Sequence, residues 1–352
     1  MNVDAIKKTN YSLDLLKFVC AILIVASHTL PIFKTDILNL YYGQWFFRFC
    51  VPVFFLSSGF YFQKMDDSRR LSYIKRIFLI YIASMVLYLP IYIKNHQFVD
   101  LRGVIYFLRE LVLGYWHLWY LSALFFALLM NYVLEKHISL SNNKKFYITI
   151  LSLLLAVGVL FDEYYKLFNN GLLNSLASII GIIGGSRHFL FMGFPLIVIG
   201  RLIFIYRDRI FSIKPYVYLL LIFFSSLISF GETAFLLVKL GRDITCDITI
   251  FNWVTAVFLF VITFYWSPKA LEKTSRIMRK SVDIVYVIHG LFIVILTKFT
   301  ELVYSLKFFA VLGLSFVASA LMLGVWYIFN ERANKKIHIR IDNNKWKFWQ
   351  RE

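Results

Sequence analysis

The sequence runs to 352 residues, of which 60% are hydrophobic and 19% aromatic, with a mean hydropathy of +0.69. Too few polar residues remain to cover a soluble surface, so a water-soluble domain is excluded and an all-α polytopic membrane protein is predicted. The formal net charge of +18 does not imply a nucleic-acid partner: the basic residues are spread among short loops, with no basic–aromatic face and no zinc or helix-turn-helix spacing.

Windows of about twenty residues predict a bundle of about ten transmembrane helices at 12–33, 45–63, 76–94, 116–134, 146–161, 188–206, 215–231, 248–266, 282–297 and 308–329. A weaker apolar stretch at 171–184 is predicted to be re-entrant or extracytoplasmic. The first span is too long for a cleaved leader and lacks a small-residue cleavage site, so it is expected to stay as an anchor. With the N-terminus inside, 25 Lys and Arg fall in the inner loops and 10 in the outer ones. The positive-inside rule therefore predicts that both termini are cytoplasmic. The predicted division is a transmembrane domain over 1–330 and a short basic cytoplasmic tail over 331–352, whose Trp346 and Trp349 suit the headgroup interface.

The first span carries Asp14, Lys17 and His28, and ionisable groups inside a membrane mark a partner or a substrate path. Lys17 and His28 are eleven residues apart, about 20° from three whole turns and roughly 16 Å along the axis. Asp14 lies one turn before Lys17, within reach of an i,i+3 pair. A single stripe thus joins a carboxylate–ammonium pair near one surface to an imidazole near the other.

The second span opens with Arg48, either an interface anchor or a substrate group, and ends in Ser57-Ser58-Gly59. Those small residues permit close helix approach or let the chain of a cofactor lie against the backbone. The fourth span begins Trp116-His117-Leu118-Trp119-Tyr120. An aromatic belt explains the tryptophans and the tyrosine, whereas His117 would share an outer layer with His28. Arg187 opens the sixth span as an outer cation suited to a polar acceptor or to the interface. Glu232 ends the seventh, placed either to orient a histidine, to hold a substrate amine, or to lie in solvent. The ninth carries Tyr286 and His289 on one face, His289 being either bonded structurally or part of a cavity wall. Cys20, Cys50 and Cys246 are too far apart for a disulfide framework or a metal cluster, so no metal is expected.

These residues resemble the bacterial integral-membrane acyltransferase family 3. Its first-span Asp-x-x-Arg, ten residues and His appear as Asp14, Lys17 and His28, with Lys in place of Arg. Its Phe-Phe-x-x-Ser-Gly-Phe appears as Phe54 to Phe60, its His-Leu-Trp-Phe-Leu as His117 to Leu121, and its late Tyr-x-x-His as Tyr286 to His289. Arg48 with Val51-Pro52, Arg187 with Phe194-Pro195, and Glu232 look most like the membrane half of vancomycin-resistance serine racemases. The racemase half, and the esterase-like domain of some relatives, are expected to be missing.

The resemblance implies a multi-pass protein of the bacterial plasma membrane. It would move an acetyl or other acyl group from cytoplasmic acetyl-CoA, the acyl donor, to a hydroxyl of a cell-surface glycan or its lipid-linked precursor. In that reading His28 is the catalytic base or carries the acetyl transiently, and Asp14, counted with it as catalytic, acts with Lys17 to position the CoA side of the donor. Lys17, Ser57 and Ser58 hold the donor, and Arg48, His117, Arg187, Glu232 and His289 line the acceptor side. The second reading is a transporter for a small polar solute such as serine, with Glu232 and Arg187 as outer clamps. A scaffold within a polysaccharide-assembly complex is the third. Membrane lipid is an expected partner, and a homo-oligomer is left open.

Overall fold

The computed structural model describes residues 10–95, 101–299 and 304–349, the side chains at 95, 299, 304 and 330–349 aside. Lys7 and Lys8 of the charge ladder, and the side chains of Trp346 and Trp349, lie outside that set. Among the described residues the chain is all-helical, without a strand. Fourteen α-helices follow in order: α1 Tyr11–His28, α2 Asp36–Tyr41, α3 Cys50–Lys64, α4 Asp67–Asn95, α5 Leu101–Leu113, α6 Trp119–His137, α7 Lys144–Asp162, α8 Gly171–Ile182, α9 Phe194–Ile205, α10 Arg207–Ile210, α11 Pro215–Leu240, α12 Ile250–Ile262, α13 Glu272–Phe299 and α14 Tyr304–Trp349.

Among the described residues eight helical stretches are long and apolar enough to cross a membrane, and they fall on eight of the ten predicted spans. The two others, predicted at 188–206 and 248–266, are the shorter apolar helices Phe189–Ile205 and Ile250–Ile262. At 1.5 Å per residue the second is about 20 Å long, less than the roughly 30 Å hydrocarbon layer. It starts late because Glu232 caps it, accepting from the backbone N–H groups of Ile250 at 2.7 Å and Phe251 at 3.0 Å. The weaker stretch at 171–184 is α8.

Helix α3 sits at the centre, with Phe55, Leu56, Phe60 and Phe62 fully buried. It crosses α9 at two glycines: a Cβ on Gly59 would overlap the backbone of Ile197, and one on Gly200 the backbone of Leu56 and Phe60. Close backbone contact through small residues is how membrane helices associate when lipid is as apolar as their side chains. Beside this crossing Arg201 is fully buried. Its guanidinium donates to Gln63 at 2.8 Å, to Asn131 at 3.0 Å and to Glu135, so the charge is paired and each nitrogen satisfied. Outward-facing residues such as Leu219, Phe223 and Leu227 of α11 and Val317 and Leu321 of α14 are exposed and apolar, as surfaces solvated by lipid require.

Helices α1 and α13 are neighbours and run parallel, since Asp14 meets Arg279 near their starts and His28 meets His289 further along. Two odd-numbered spans of an alternating topology must have this relation.

Candidate functional site

Asn10 starts α1 by accepting from the N–H of Leu13 at 3.0 Å, a standard helix cap. The helix is unbroken from Tyr11 to His28, so the Lys17–His28 stripe exists as a rigid spacer of about 16 Å. At its far end His28 meets two more histidines. His117 arrives on the 3-10 turn Trp116–Leu118 before α6, and His289 from the middle of α13. The ring centroids are 5.3 Å apart for His28–His289, 4.6 Å for His117–His289 and 6.0 Å for His28–His117. Three residues from separate spans thus form one cluster.

Their surroundings differ. His289 is fully buried and His117 is 1% exposed, while His28 is partly accessible. His289 uses Nδ1 against the carbonyl of Val285 at 3.1 Å, and its Nε2 has no partner among the described residues. If Nδ1 carries the proton that this contact requires, Nε2 presents a lone pair to the cluster. His117 is held by its backbone, the hydroxyl of Tyr286 donating to its carbonyl, and by the ring of Tyr88 at 5.0 Å. Gly290 permits this packing: a Cβ there would lie 2.5 Å from His117 Cε1, 2.6 Å from the Tyr88 hydroxyl and 2.9 Å from Trp116 Cζ3. Trp116 itself has φ 50°, a backbone state that costs a bulky residue on the order of 1–2 kcal/mol.

A cavity of about 80 Å³ opens on His28, with His117, Ser27, Arg48, Trp119, Tyr120, Arg187, Asp247 and Tyr286 in its wall. That is well above the ~10–15 Å³ that admits a single water. Arg48 and Arg187, both predicted as substrate cations, share one carboxylate there. Arg187 donates Nε and Nη2 to Asp247 at 2.5 and 3.1 Å, and Arg48 donates to Asp247 and, at 2.8 Å, to Gln44. Burial alone would push the Asp247 carboxyl up, but the guanidiniums of Arg187 and Arg48 overcome it and hold the group below its usual range. The Asp247 loop is fixed from α7, where Asp162 accepts from Ile248 N and Ser186 Oγ. It is fixed again just beyond α7, where Glu163 accepts from Thr245 N. Asp247 was missed in the sequence. The available signal was electrostatic: two cations at membrane depth demand a carboxylate.

At the other end of α1 the expected Asp14–Lys17 pair is replaced. Asp14 is held by α13, accepting from Ser275 at 2.5 Å and from Arg279 at 2.9 and 3.2 Å. No hydrogen bond or ion pair joins it to Lys17, because the i+3 ammonium loses to a guanidinium fork arriving from the facing helix. Asp14 also lies about 21 Å along α1 from His28, outside the histidine cavity. Lys17 makes no hydrogen bond or close ion pair among the described residues, and the carboxylates acting on it are Asp283 first and Asp14 second. Asp283 in turn is 3.5 Å from Arg76 of α4.

Between the two ends runs a column of hydroxyls. Tyr73 donates to Ser58 at 3.2 Å, Tyr120 and Tyr286 have ring centroids 5.5 Å apart, and Tyr286 reaches His117. Ser57 is fully buried, and its Oγ has no partner among the described residues. Glu232 is elsewhere: besides capping α12 it accepts from the Tyr164 hydroxyl, so it neither orients a histidine nor faces the cavity. Among the described residues no group of three or more His, Cys, Asp or Glu has metal-holding geometry.

Comparison with known proteins matches residues 10–329 to the Acyltransferase domain family. Two stretches of similarity to proteins named amino-acid racemase, from Enterococcus faecalis, also occur. One is 25% identical over 342 residues, covering 89% of this chain and 46% of that protein; the other is 31% identical over 166 residues, covering 45% and 23%. The chain spans at most about half the length of these curated relatives. No solved structure matches it.

Proposed function

The chain belongs to this family of membrane acyltransferases, and from that premise we propose that it is an O-acyltransferase using acetyl-CoA as donor and a carbohydrate hydroxyl as acceptor. The observation that carries this reading is the accessibility of His28. Of three clustered imidazoles it alone is partly exposed, it makes no hydrogen bond among the described residues, and it lines the cavity.

A hydroxyl is a weak nucleophile near neutral pH, and a histidine within reach of its proton is the usual remedy. In the proposed reaction His28 takes the acceptor's O–H proton as its oxygen attacks the thioester carbonyl. The carbon–sulfur bond breaks, and the departing thiolate of CoA takes the proton from His28, which restores the neutral imidazole. His117 and His289 pack against His28 and restrict its ring. The donor enters at the opposite end of α1, where Lys17, Arg76 and Arg279 are cations suited to phosphates. The pantetheine arm then lies along the column formed by Ser58, Tyr73, Tyr120 and Tyr286. This requires the predicted orientation, with the start of α1 on the cytoplasmic side of a bacterial plasma membrane.

The test uses purified protein in nanodiscs with labelled acetyl-CoA. Turnover or acyl capture that disappears in His28→Ala supports the proposal. A folded sample that neither binds nor turns over acetyl-CoA refutes it. The relatives named amino-acid racemase favour a second reading, in which this domain moves an amino acid such as serine. Its mark would be serine uptake into vesicles without CoA.

A further inference from the structure

A histidine base works when its ring is held in one tautomer with a lone pair towards the reacting proton, and a third group does the holding. A carboxylate is the usual choice. The carboxylate that lines the histidine cavity, Asp247, is committed to Arg187 and Arg48, and Glu232 caps α12. The group that orients His28 has to come from elsewhere.

His289 has the required state. It stands behind the cavity wall, which takes in His28 and His117, and it is fully buried on α13. Its Nδ1 lies 3.1 Å from the carbonyl of Val285, one turn earlier. A carbonyl only accepts, so Nδ1 carries the proton, and in the neutral ring Nε2 is a bare lone pair. That nitrogen has no donor among the described residues. A fully buried acceptor without a donor is uncommon in a folded chain, and it points to a group that completes it.

Ring spacing names the donor. Two imidazoles joined by one N–H···N bond of about 3 Å have centroids about 5.2 Å apart. His28 lies at 5.3 Å with the rings tilted by 36°, and His117 at 4.6 Å with a tilt of 59°. The shorter distance is a packing contact between rings, whereas the longer one has room for the bond. His28 is the last residue of α1 and partly accessible, so its ring can turn to close it. Catalytic hydrogen bonds often tighten only in the complex with substrate.

We propose that His289 is the positioning residue of the reaction: its Nε2 accepts the N–H of His28 and turns the second His28 nitrogen, as a lone pair, towards the cavity. That second nitrogen takes the acceptor's O–H proton and passes it to the CoA thiolate. His289 keeps its own proton on Nδ1 throughout. A neutral orienting group adds no charge to a cluster at membrane depth, where a lone carboxylate would need a further cation. This inference rests on the acyltransferase reading.

The test follows acyl release from labelled acetyl-CoA by protein in nanodiscs between pH 5 and 9. His289→Leu should lower kcat at least 10²-fold and leave KM within threefold, the mark of an interaction made in the transition state. His289→Gln, which sets an acceptor near the place of Nε2, should stay within tenfold of wild type. His289→Glu should move the acid limb of the kcat profile upward by about one pH unit or more, because a carboxylate there favours the His28 imidazolium. Arg48, Arg187, Asp247, His117, Tyr120 and Tyr286 also face the cavity; all remain in every variant, so a limb that moves reports position 289. Equal losses in His289→Leu and His289→Gln, or an unmoved limb in His289→Glu, overturn the positioning role, and His28-dependent release leaves the acyltransferase reading standing. No His28-dependent release from wild type removes both. If His289→Leu and His289→Glu fail to accumulate, nitrogen NMR of histidine-labelled wild type carries the test, assigned with His289→Gln and His28→Ala. The unprotonated His289 nitrogen should shift when His28 is replaced by alanine; a signal that stays in place overturns the proposal.

Discussion

Gly290→Ala is the sharpest perturbation the geometry offers, because it adds one methyl group and no charge. The new Cβ would sit 2.5 Å from His117 Cε1, 2.6 Å from the Tyr88 hydroxyl and 2.9 Å from Trp116 Cζ3. Ordinary carbon contacts are about 3.5 Å or more, so the imidazole or the helix must retreat by about 1 Å. The Tyr88 hydroxyl is held, donating to Val287 at 2.8 Å, and the His117 backbone is pinned through its carbonyl by Tyr286. The His117 ring nitrogens have no partner among the described residues, and the ring is confined by packing alone. Overpacking of this kind costs about 1–3 kcal/mol, while replacing a helical glycine by alanine returns about 0.8–1.0 kcal/mol. Net stability should therefore fall by no more than about 2 kcal/mol. The rate is the more sensitive readout, because a 1 Å misplacement at a reacting centre costs on the order of 10²-fold. The assay pairs acyl-transfer rate with the thermal midpoint in detergent, and uses Gly313→Ala, where a Cβ meets nothing within 4 Å, as the control. A Gly290→Ala protein with wild-type rate would refute the claim that the histidine cluster is the reaction centre.

His28→Ala should lower acyl transfer by about 10²–10⁴-fold, the usual scale for loss of a general base, with little change in thermal midpoint. Lys17→Met should raise the KM for acetyl-CoA more than it lowers kcat, and Lys17→Arg should keep both near wild type; equal kcat losses in the two variants would remove Lys17 from donor binding. Arg201→Met strands the Glu135 carboxylate, and such breakage costs about 3–5 kcal/mol, so a marked fall in thermal midpoint is expected, and an unchanged midpoint would contradict the pairing. Because Arg187 and Arg48 hold the Asp247 carboxyl below its usual range, its contribution to stability is complete above the unfolded value near 3.9 and is lost as pH falls through the lower folded value. Asp247→Asn should flatten that acid limb of a midpoint-against-pH curve.

The helical class, eight of the spans and the Lys17–His28 stripe were legible because each depends on local hydropathy and on a 3.6-residue period. What the sequence hid were partners set by tertiary packing. Asp14 finds Arg279 at a separation of 265 residues, and no local rule ranks that above Lys17 three residues away. Glu232 stayed open between orienting a histidine, holding a substrate amine and lying in solvent, because capping α12 depends on where that helix starts. Trp116 and Trp119 read as an aromatic belt, and only the turn at Gly114 sets Trp119 in the wall of the histidine cavity and Trp116 edge-on to His28. His117 stood out for sharing a level with His28 and His289 for sitting mid-span, but their convergence on His28 required the packing of α6 and α13.

Family resemblance places an arginine where this chain has Lys17, and the facing helix changes what that substitution costs. Arg279 brings a guanidinium to the same level of the bundle, though it is committed to Asp14 and Ser275, and Arg76 lies against Asp283. Three cations and two carboxylates therefore meet there, leaving one net positive charge. Among the described residues Lys17 makes neither a hydrogen bond nor a close ion pair, so of these three cations it is the one not already engaged. An ammonium is a compact point charge without a preferred plane, and it can meet a phosphate from several directions. The orienting task that a guanidinium fork would perform then falls to the neighbouring fixed groups. In this arrangement Asp14 is a positioning residue: by fastening Arg279 to α1 it keeps the two parallel helices in register, and with them the spacing between the charged end and the histidines.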